Sequence, residues 1–206
     1  DLELLHQLRE EIGEPEAASD PKIAALAEEL RAVPAGEKAV VFSSFADTIV
    51  YLDEALRTNP GLADGREWVA VAGRDTTPAE RVRLIARFSP ETAGVPGTGV
   101  PSGETEVDLL VASDVLSEGQ NLQQAGVLVN FDLTWNPQRM VQRNGRINRL
   151  GGRPEITLLT LAPDDAELER LLRLEARIRD KVRAANAALG MESRILDLDP
   201  EERVFA

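Results

Sequence analysis

Short apolar runs and amphipathic helical patterns alternate along most of this chain of 206 residues. Five runs rich in Val, Ile, Leu and Phe have the length and composition of buried strands. Between several of them, apolar residues recur every three or four positions, which is the spacing of a helix packed on one face. We place the strands at residues 38–43, 68–72, 107–112, 127–131 and 156–161.

Two of the helices begin with recognisable signals. Asp20 followed by Pro21 is typical of a helix start, because aspartate accepts from free backbone N–H groups and proline suits the first turn. The run 77–80, Thr-Pro-Ala-Glu, combines a capping box with proline. We expect helices at 20–32, 46–57 and 77–88, an arginine-rich helix that starts near Pro137, and a long charged helix at 164–189.

This alternation predicts an α/β fold, with a mostly parallel sheet and helices on both of its faces. We assign residues 20–162 to that unit, residues 1–19 to an N-terminal helical linker, and residues 163–206 to a helical C-terminal extension. Residues 89–106 hold four Gly and three Pro without periodicity. We expect them to form a mobile surface insertion.

Ligands of such sheets bind at the carboxyl ends of the parallel strands. This rule brings four polar loops to one edge of the predicted sheet. These loops hold most of the polar residues that could contact a ligand, namely serines, aspartates and asparagines, together with glycines that let a ligand approach the backbone. They lie at residues 43–45, 73–75, 113–121 and 132–137.

Composition restricts the kinds of site that the chain can form. Zero cysteines exclude disulfides and thiolate metal sites, and the single histidine, His6, makes a histidine metal site improbable. No apolar run has the roughly 18 residues of a membrane span, and the start at Asp1 does not resemble a signal peptide. We therefore expect a cytoplasmic protein without a membrane partner. Because the chain starts without Met, we expect it to belong to something longer.

The formal net charge of −13 argues against a nucleic-acid partner until its distribution is considered. Residues 135–149 contain four arginines and no acid. Arg139, Gln142, Arg146 and Arg149 are spaced three, four and three apart, so on a helix they share an arc of roughly 80°. Convergent guanidinium groups are well suited to a polyanion. A solvated basic face is the competing interpretation of the same segment.

Other segments are weaker indicators. The sequence G-x-x-x-x-G-K-[ST], which cradles phosphates, is absent from the chain. The pair Asp53 and Glu54 lies inside a helical pattern, where we expect it to face solvent. Trp135, Phe42 and Phe45 are by frequency more often packing residues than base-stacking ones.

Five segments nevertheless occur in an order that resembles a known family. They are VVFSSF (40–45), GRDTTPAERVRLIARF (73–88), ASDVLSEGQNL (112–122), NFDLTWNP (130–137) and QRNGRINR (142–149). Together they look like the motifs of the C-terminal lobe of a superfamily 2 helicase. The likeness is closest to the sucrose-non-fermenting remodeller-type DNA translocases, which include bacterial RNA-polymerase-recycling and phage-defence ATPases.

The resemblance implies two RecA-like lobes, with ATP in the cleft between them and DNA across both. Arg146 and Arg149 match the arginine fingers of the family. Gln142, Glu118 and Gly119 match its nucleotide-side motifs. The family's nucleic-acid contacts correspond here to Ser43, Ser44, Phe45, Gly73, Arg74, Ser113 and Asp114.

The resemblance therefore predicts the second motor lobe of an ATP-dependent double-stranded DNA translocase, inactive without the first lobe. The N-terminal lobe would supply the phosphate loop and hold the magnesium of the ATP. Two alternatives stay open: a stand-alone nucleic-acid or protein adaptor, and a lobe of an RNA-directed helicase. The acidic body and the helix at 164–189 motivate the adaptor, with that helix as a possible site for a protein partner.

Overall fold

The computed structural model of the chain describes residues 20–71, 76–91, 99–114, 121–132, 134, 137–147 and 156–162. Most of these residues lie in strands and α-helices, and a short 3-10 helix spans Pro60–Ala63. The helices are α1 (Pro21–Ala32), α2 (Ala46–Thr58), α3 (Pro78–Phe88) and α4 (Pro137–Ile147). The strands are β1 (Lys38–Ser43), β2 (Trp68–Val71), β3 (Leu109–Ser113), β4 (Ala125–Asn130) and β5 (Thr157–Thr160).

The strands form one parallel sheet in the order β2-β3-β1-β4-β5. Strand β1 lies in the middle, where Val41 is level with Val111 of β3 and Val129 of β4. Because the three central strands run in the same direction and in register, their carboxyl ends meet at one edge. The predicted α/β class with a parallel sheet is confirmed.

The core consists of two apolar layers, one on each face of the sheet. Alternate residues of a strand point to opposite faces. Ala39 and Val41 of β1 accordingly belong to a cluster with residues of α1 and α2. Val40 and Phe42 belong to a second cluster, which contains Ile85 of α3 and Ile147 of α4. Helices therefore cover both faces, as predicted.

The predicted strands are present, with boundaries that differ by up to two residues. Strand β3 begins at Leu109 and not at residue 107, because the backbone N–H of Val107 donates to Arg87 at the end of α3. Strand β4 begins earlier than predicted, at Ala125, which pairs with Lys38 across an irregularity in the register. The small residues Ala125 and Gly126 gave no strand signal in the sequence.

Helix α1 starts as its sequence predicts. Asp20 Oδ1 accepts from the backbone N–H groups of Lys22 (2.8 Å) and Ile23 (3.4 Å), and Pro21 occupies the first turn. Asp20 Oδ2 accepts from the hydroxyl of Tyr51 on α2, at 3.0 Å. One carboxylate thus caps α1 and ties it to α2, which lies on the same face of the sheet.

The end of the predicted insertion at 89–106 is held to the body. Glu104 forms ion pairs with Arg83 and Arg87 of α3, the latter at 3.4 Å. The ammonium of Lys38, which is buried at the start of β1, contacts both Glu106 and the carbonyl of Phe88. Residues 104–106 therefore belong to the packed unit, whereas the mobility of the insertion stays a prediction. Residues 92–98, the linker at 1–19 and the extension at 163–206 lie outside the described residues.

The contact between Tyr51 and Asp20 predicts an unusual titration. Burial, the hydrogen bond to Asp20 and the charge of Asp20 raise the pKa of Tyr51 from 10.0 to about 12. The neutral phenol therefore stabilises the fold fully below pH 10, and this stability is lost as the pH rises to about 12. Tyr51 is the only tyrosine of the chain, so tyrosinate absorbance reports it alone. We expect a native midpoint near 12, lowered by Asp20→Asn; a native midpoint equal to that in urea would contradict the contact.

Candidate nucleotide and nucleic-acid site

The carboxyl ends of β1, β3 and β4 lie side by side and carry polar residues. They end at Ser43, Ser113 and Asn130, and Ser43 is level with Ser113 in the ladder. Asp114 follows β3 directly, and Asp132 follows β4 by two residues. Helix α4 starts five residues beyond Asp132 and packs against β4. The parallel topology thus gathers residues that are far apart in the sequence.

A buried arginine of α4 joins these strand ends. The side chain of Arg143 is fully enclosed, at 0% exposure. Its Nε donates to Asp114 Oδ1 at 2.6 Å, its Nη1 to Asn130 Oδ1 at 2.9 Å, and its Nη2 to Ser44 Oγ at 3.1 Å. A buried cation is tolerated only when it is paired and hydrogen-bonded, and the guanidinium fork meets both conditions here.

Asp132 completes this arrangement on the side of β1. Its two carboxylate oxygens accept from the backbone N–H of Ser44, at 3.1 and 3.0 Å, and Oδ2 lies 4.0 Å from Arg143 Nη2. The ring of Phe42 lies 5.6 Å from the guanidinium carbon, within the range of a cation–π contact. We call Ser44, Asp114, Asn130, Asp132 and Arg143 the Arg143 cluster.

A second cation lies near the cluster. The ammonium of Lys22, in the first turn of α1, is 4.3 Å from the centre of the Phe131 ring. Burial lowers the pKa of Lys22, and the charges of Asp132 and Asp20 oppose that shift. The charges of two aspartates thus favour the protonated form of this lysine, which lies over the Phe131 ring just beyond β4.

Helix α4 presents two different faces. Met140, Arg143, Asn144 and Ile147 are buried against the body. Arg139 and Gln142 are exposed and Arg146 is half-buried, so these three residues share the face that the spacing predicts. Arg139 Nη1 lies 3.4 Å from Asp114 Oδ2, which makes Asp114 a shared partner of both arginines.

Arg139 and Arg146 lie at opposite ends of α4. The carbonyl of Arg146 accepts from the backbone N–H of Leu122, which leads into the amino end of β4. Seven residues of helix separate the two arginines by roughly 10 Å along the axis. Helix α4 begins near the carboxyl ends of the strands and runs from there to Arg146. Because Cα–Cβ bonds tilt toward the N-terminus of a helix, the Arg146 side chain starts out toward those strand ends.

Burial narrows the set of residues that could touch nucleic acid. The side chains of Ser43 and Ser113 are enclosed, at 0% and 2% exposure, so direct contact through their hydroxyls is at odds with the structure. Ser43 Oγ instead accepts from the backbone N–H of Phe45. Both carboxylate oxygens of Asp114 lie next to arginines, so this side chain is already engaged within the protein. We therefore leave these three side chains out of the contact surface.

Phe45 is exposed, at 64%, at the start of α2. It occupies the N-cap position without a side-chain cap, where Ser, Thr, Asp or Asn would be preferred. Its neighbour Ser44 is fixed by Asp132 and Arg143. An exposed aromatic ring on a fixed loop is a natural contact for a ligand at this edge.

Several predicted site residues lie outside the described part of the chain. They are Gly73, Arg74, Glu118, Gly119 and Arg149.

Two other features are absent from the described residues. No metal-binding group of three or more His, Cys, Asp or Glu side chains occurs among them. Within the same residues, no helix is both long enough and apolar enough to cross a membrane.

Residues 21–151 match the family model of the helicase conserved C-terminal domain, which is more than half of the chain. The chain is also 33% identical over 123 residues to the RNA polymerase-associated protein RapA of Vibrio parahaemolyticus serotype O3:K6 (strain RIMD 2210633). That match covers 60% of this chain and 11% of RapA, so the chain spans about a tenth of its relative.

Solved structures agree on the fold. The C-terminal part of the Fun30 ATPase domain superposes with a TM-score of 0.60 and 23% identity, over 79% of this chain and 47% of that one. Dbp5 of S. cerevisiae, bound to RNA and ADP BeF3, gives a TM-score of 0.55 and 19% identity, over 82% and 36%. At these identities the likeness shows a common fold. With the family match, it confirms the resemblance on which the sequence interpretation depends.

The Arg143 cluster predicts a large effect on stability. Arg143→Met would remove the buried cation and leave Asn130 Oδ1 without its donor. We expect this change to lower the free energy of unfolding of the isolated chain by about 3–5 kcal/mol, measured by urea denaturation. Arg57→Met is the control, because Arg57 pairs with Asp53 on the surface and should contribute less than about 1 kcal/mol. Equal effects of the two substitutions would contradict the described network.

Proposed function

The chain belongs to the helicase conserved C-terminal domain family, and we propose that it is the second motor lobe of an ATP-dependent double-stranded DNA translocase. In this proposal, Arg146 and Arg149 are the arginine fingers of the motor. The carboxyl-end edge of the sheet forms part of the surface that holds DNA. An N-terminal RecA-like lobe of the same protein supplies the remaining parts of the ATPase site.

The construction of α4 is the observation that carries this proposal. Its buried face is fixed to three strand ends through Arg143, so the adjoining, more exposed face has a defined orientation. That more exposed face carries Arg139, Gln142 and Arg146. A solvated basic helix, the competing interpretation, has no need of a buried ionic anchor beneath it. A fixed guanidinium face fits a ligand whose phosphates must be met at a defined position.

The chemistry of phosphoryl transfer suits such a face. Negative charge builds on phosphate oxygens in the transition state, and positioned cations stabilise it. Arginine is well suited because it keeps its charge at every biological pH and donates in a planar fork. Arg146 and Arg149 would stabilise the charge that develops on the terminal phosphates of ATP, and Gln142, Glu118 and Gly119 would lie on the nucleotide side.

The sequence of this chain lacks a phosphate loop, and its described residues contain no cluster of three or more His, Cys, Asp or Glu side chains that could hold a metal ion. Magnesium neutralises phosphate charge when it is bound, and in this proposal residues of the first lobe hold it. In this proposal the isolated chain does not hydrolyse ATP. Hydrolysis requires that the two lobes close, so that Arg146 and Arg149 reach a triphosphate bound to the other lobe.

Nucleic acid would bind at the strand-end edge. Phe45 offers an exposed ring there, and the backbone of the neighbouring Ser44 is fixed by Asp132. Gly73 and Arg74 follow the predicted second strand and, by the resemblance, join the same edge. Alternate closing and opening of the lobes would then move the DNA stepwise. The segment at 135–137, Trp-Asn-Pro, favours DNA over RNA in this family resemblance.

The finger assignment predicts a selective loss of turnover. In the two-lobe protein, Arg146→Ala and Arg149→Ala should each lower the turnover number by about 10³–10⁵-fold, with a smaller change in the affinity for ATP. Arg57→Ala is the matched control, because its guanidinium lies on the surface of α2. Steady-state ATPase assays and nucleotide titrations measure both quantities. An unchanged turnover in both finger variants would return α4 to the solvated-face interpretation.

The choice of nucleic acid predicts a second set of outcomes. Duplex DNA should stimulate the ATPase of the two-lobe protein more than RNA does, and binding should weaken steeply with salt because phosphate contacts release counterions. Stronger stimulation by RNA would assign the lobe to an RNA-directed helicase. Salt-insensitive binding of the isolated chain to a protein, without any stimulation by nucleic acid, would support the adaptor.

A further inference from the structure

Helix α4 contains a glycine close to the proposed finger Arg146. Gly145 lies inside the helix, two residues before its end at Ile147. Glycine destabilises a helix relative to alanine, because it loses more backbone freedom on folding. A glycine at such a position needs a physical reason. The usual reasons are a left-handed backbone, crowding by a neighbouring part of the fold, and the close approach of another molecule.

The first two reasons do not apply to Gly145. Its φ is not positive, unlike the φ of Gly36 and Gly65. A Cβ atom built on Gly145 would have no heavy atom of the described structure within 4 Å, apart from its chain neighbours and the backbone of the helix itself. The fold therefore has room for alanine at this position, and alanine would be the better helix former.

The open side of Gly145 points away from the body of the lobe. Gly145 is two residues from both Arg143 and Ile147, so it is rotated by about 160° from each of these buried residues. It is three residues from the exposed Gln142, which is a rotation of only about 60°. The backbone of α4 is thus bare beside Gln142, on the side of the helix that the body does not cover.

Charge and chain length indicate what approaches this bare backbone. Arg139 and Arg146 lie on the more exposed face of the same helix, so the approaching surface carries anionic groups. This chain covers 11% of RapA and 47% of the C-terminal part of the Fun30 ATPase domain. Much of each relative therefore lies outside the matched region. In the proposed function, the N-terminal lobe with its bound triphosphate is the anionic surface that meets α4.

We propose that Gly145 is the point at which the N-terminal lobe closes against the backbone of α4. This inference depends on the proposed function, since it takes Arg146 as a finger. Without a side chain at residue 145, the other lobe approaches more closely, and the adjacent Arg146 reaches the phosphates. Displacements of about 1 Å at a reacting group can change a rate by roughly 100-fold. Gly145 has no side chain that could react, so it is a positioning residue.

A glycine that the fold requires and a glycine that the approach requires behave differently on substitution. If the fold requires Gly145, alanine lowers both the stability of the chain and the turnover. If the approach requires it, alanine raises the stability and lowers the turnover. The sign of the stability change therefore separates the two roles.

The stability experiment is urea denaturation of this chain of 206 residues, which has an apolar core on both faces of its sheet. We expect Gly145→Ala to raise the urea midpoint, because alanine favours the helix and its Cβ atom meets open space. A lower midpoint would overturn the proposal, since the fold itself would then require the glycine.

The activity experiment uses the two-lobe protein that contains this chain, with saturating ATP and duplex DNA. We expect Gly145→Ala to lower the turnover number by about 10- to 100-fold. Gly145→Gln should lower it further, because a longer side chain holds the lobes further apart. The affinity for ATP should change little in a nucleotide titration, because the first lobe holds the nucleotide. Glu54→Ala is the control, since it places alanine on the exposed side of α2 and should leave the turnover unchanged.

The finger variants distinguish a failure of this inference from a failure of the proposed function. If Arg146→Ala lowers the turnover while both Gly145 variants retain it, the close approach at Gly145 is wrong and the finger assignment stands. If Arg146→Ala and Arg149→Ala retain the turnover as well, the proposed function fails, and the role of Gly145 fails with it.

Discussion

A guanidinium group that is closed off from water must find an acceptor for its donors inside the protein, and this requirement organises the whole edge of the sheet. Arg143 meets it with a carboxylate, an amide and a hydroxyl, each from a different strand end. The carboxylate of Asp132 adds a longer contact and fixes the loop after β1. The strand order β3-β1-β4 is what brings these acceptors within reach of one side chain.

The same requirement explains how a strongly acidic chain can present a basic surface. The formal charge is −13, yet the aspartates nearest to α4 are engaged by arginines and by the backbone. Their charge holds the helix in place and is not left facing a polyanion. Arg139 and Arg146 then share the outward face of a helix whose inward face is already neutralised. On this lobe, the aspartates and Arg143 are paired beneath α4, whereas Arg139 and Arg146 lie nearer to the surface.

Most of the fold could be predicted from the sequence, because strands and helices follow from local periodicity and caps. The Asp20 cap and the α3 start at Thr77 appear where the residues predict them. Strand ends were less predictable, since the pairing of Val107 with Arg87 depends on tertiary contacts. The sequence does not show how deeply a strand end is enclosed, so the burial of the Ser43 and Ser113 side chains could not be predicted from it.

The Arg143 cluster was missed for a related reason. The sequence groups Arg143 with the basic residues of α4. Its position between Met140 and Ile147 on the apolar stripe is the signal that its side chain is buried. Its acceptors come from residues 44 to 132, and only the strand order joins them.

The segment after α3 has a consequence for engineering the lobe. Glu91 is tied to Gln124 on one side of residues 92–98, and Glu104 is tied to α3 on the other. Both attachments hold described residues on either side of 92–98 to the body. The packing of α3 and the entry into β3 are therefore secured by contacts outside that stretch, so a redesign that keeps Glu91 and Glu104 retains both attachments.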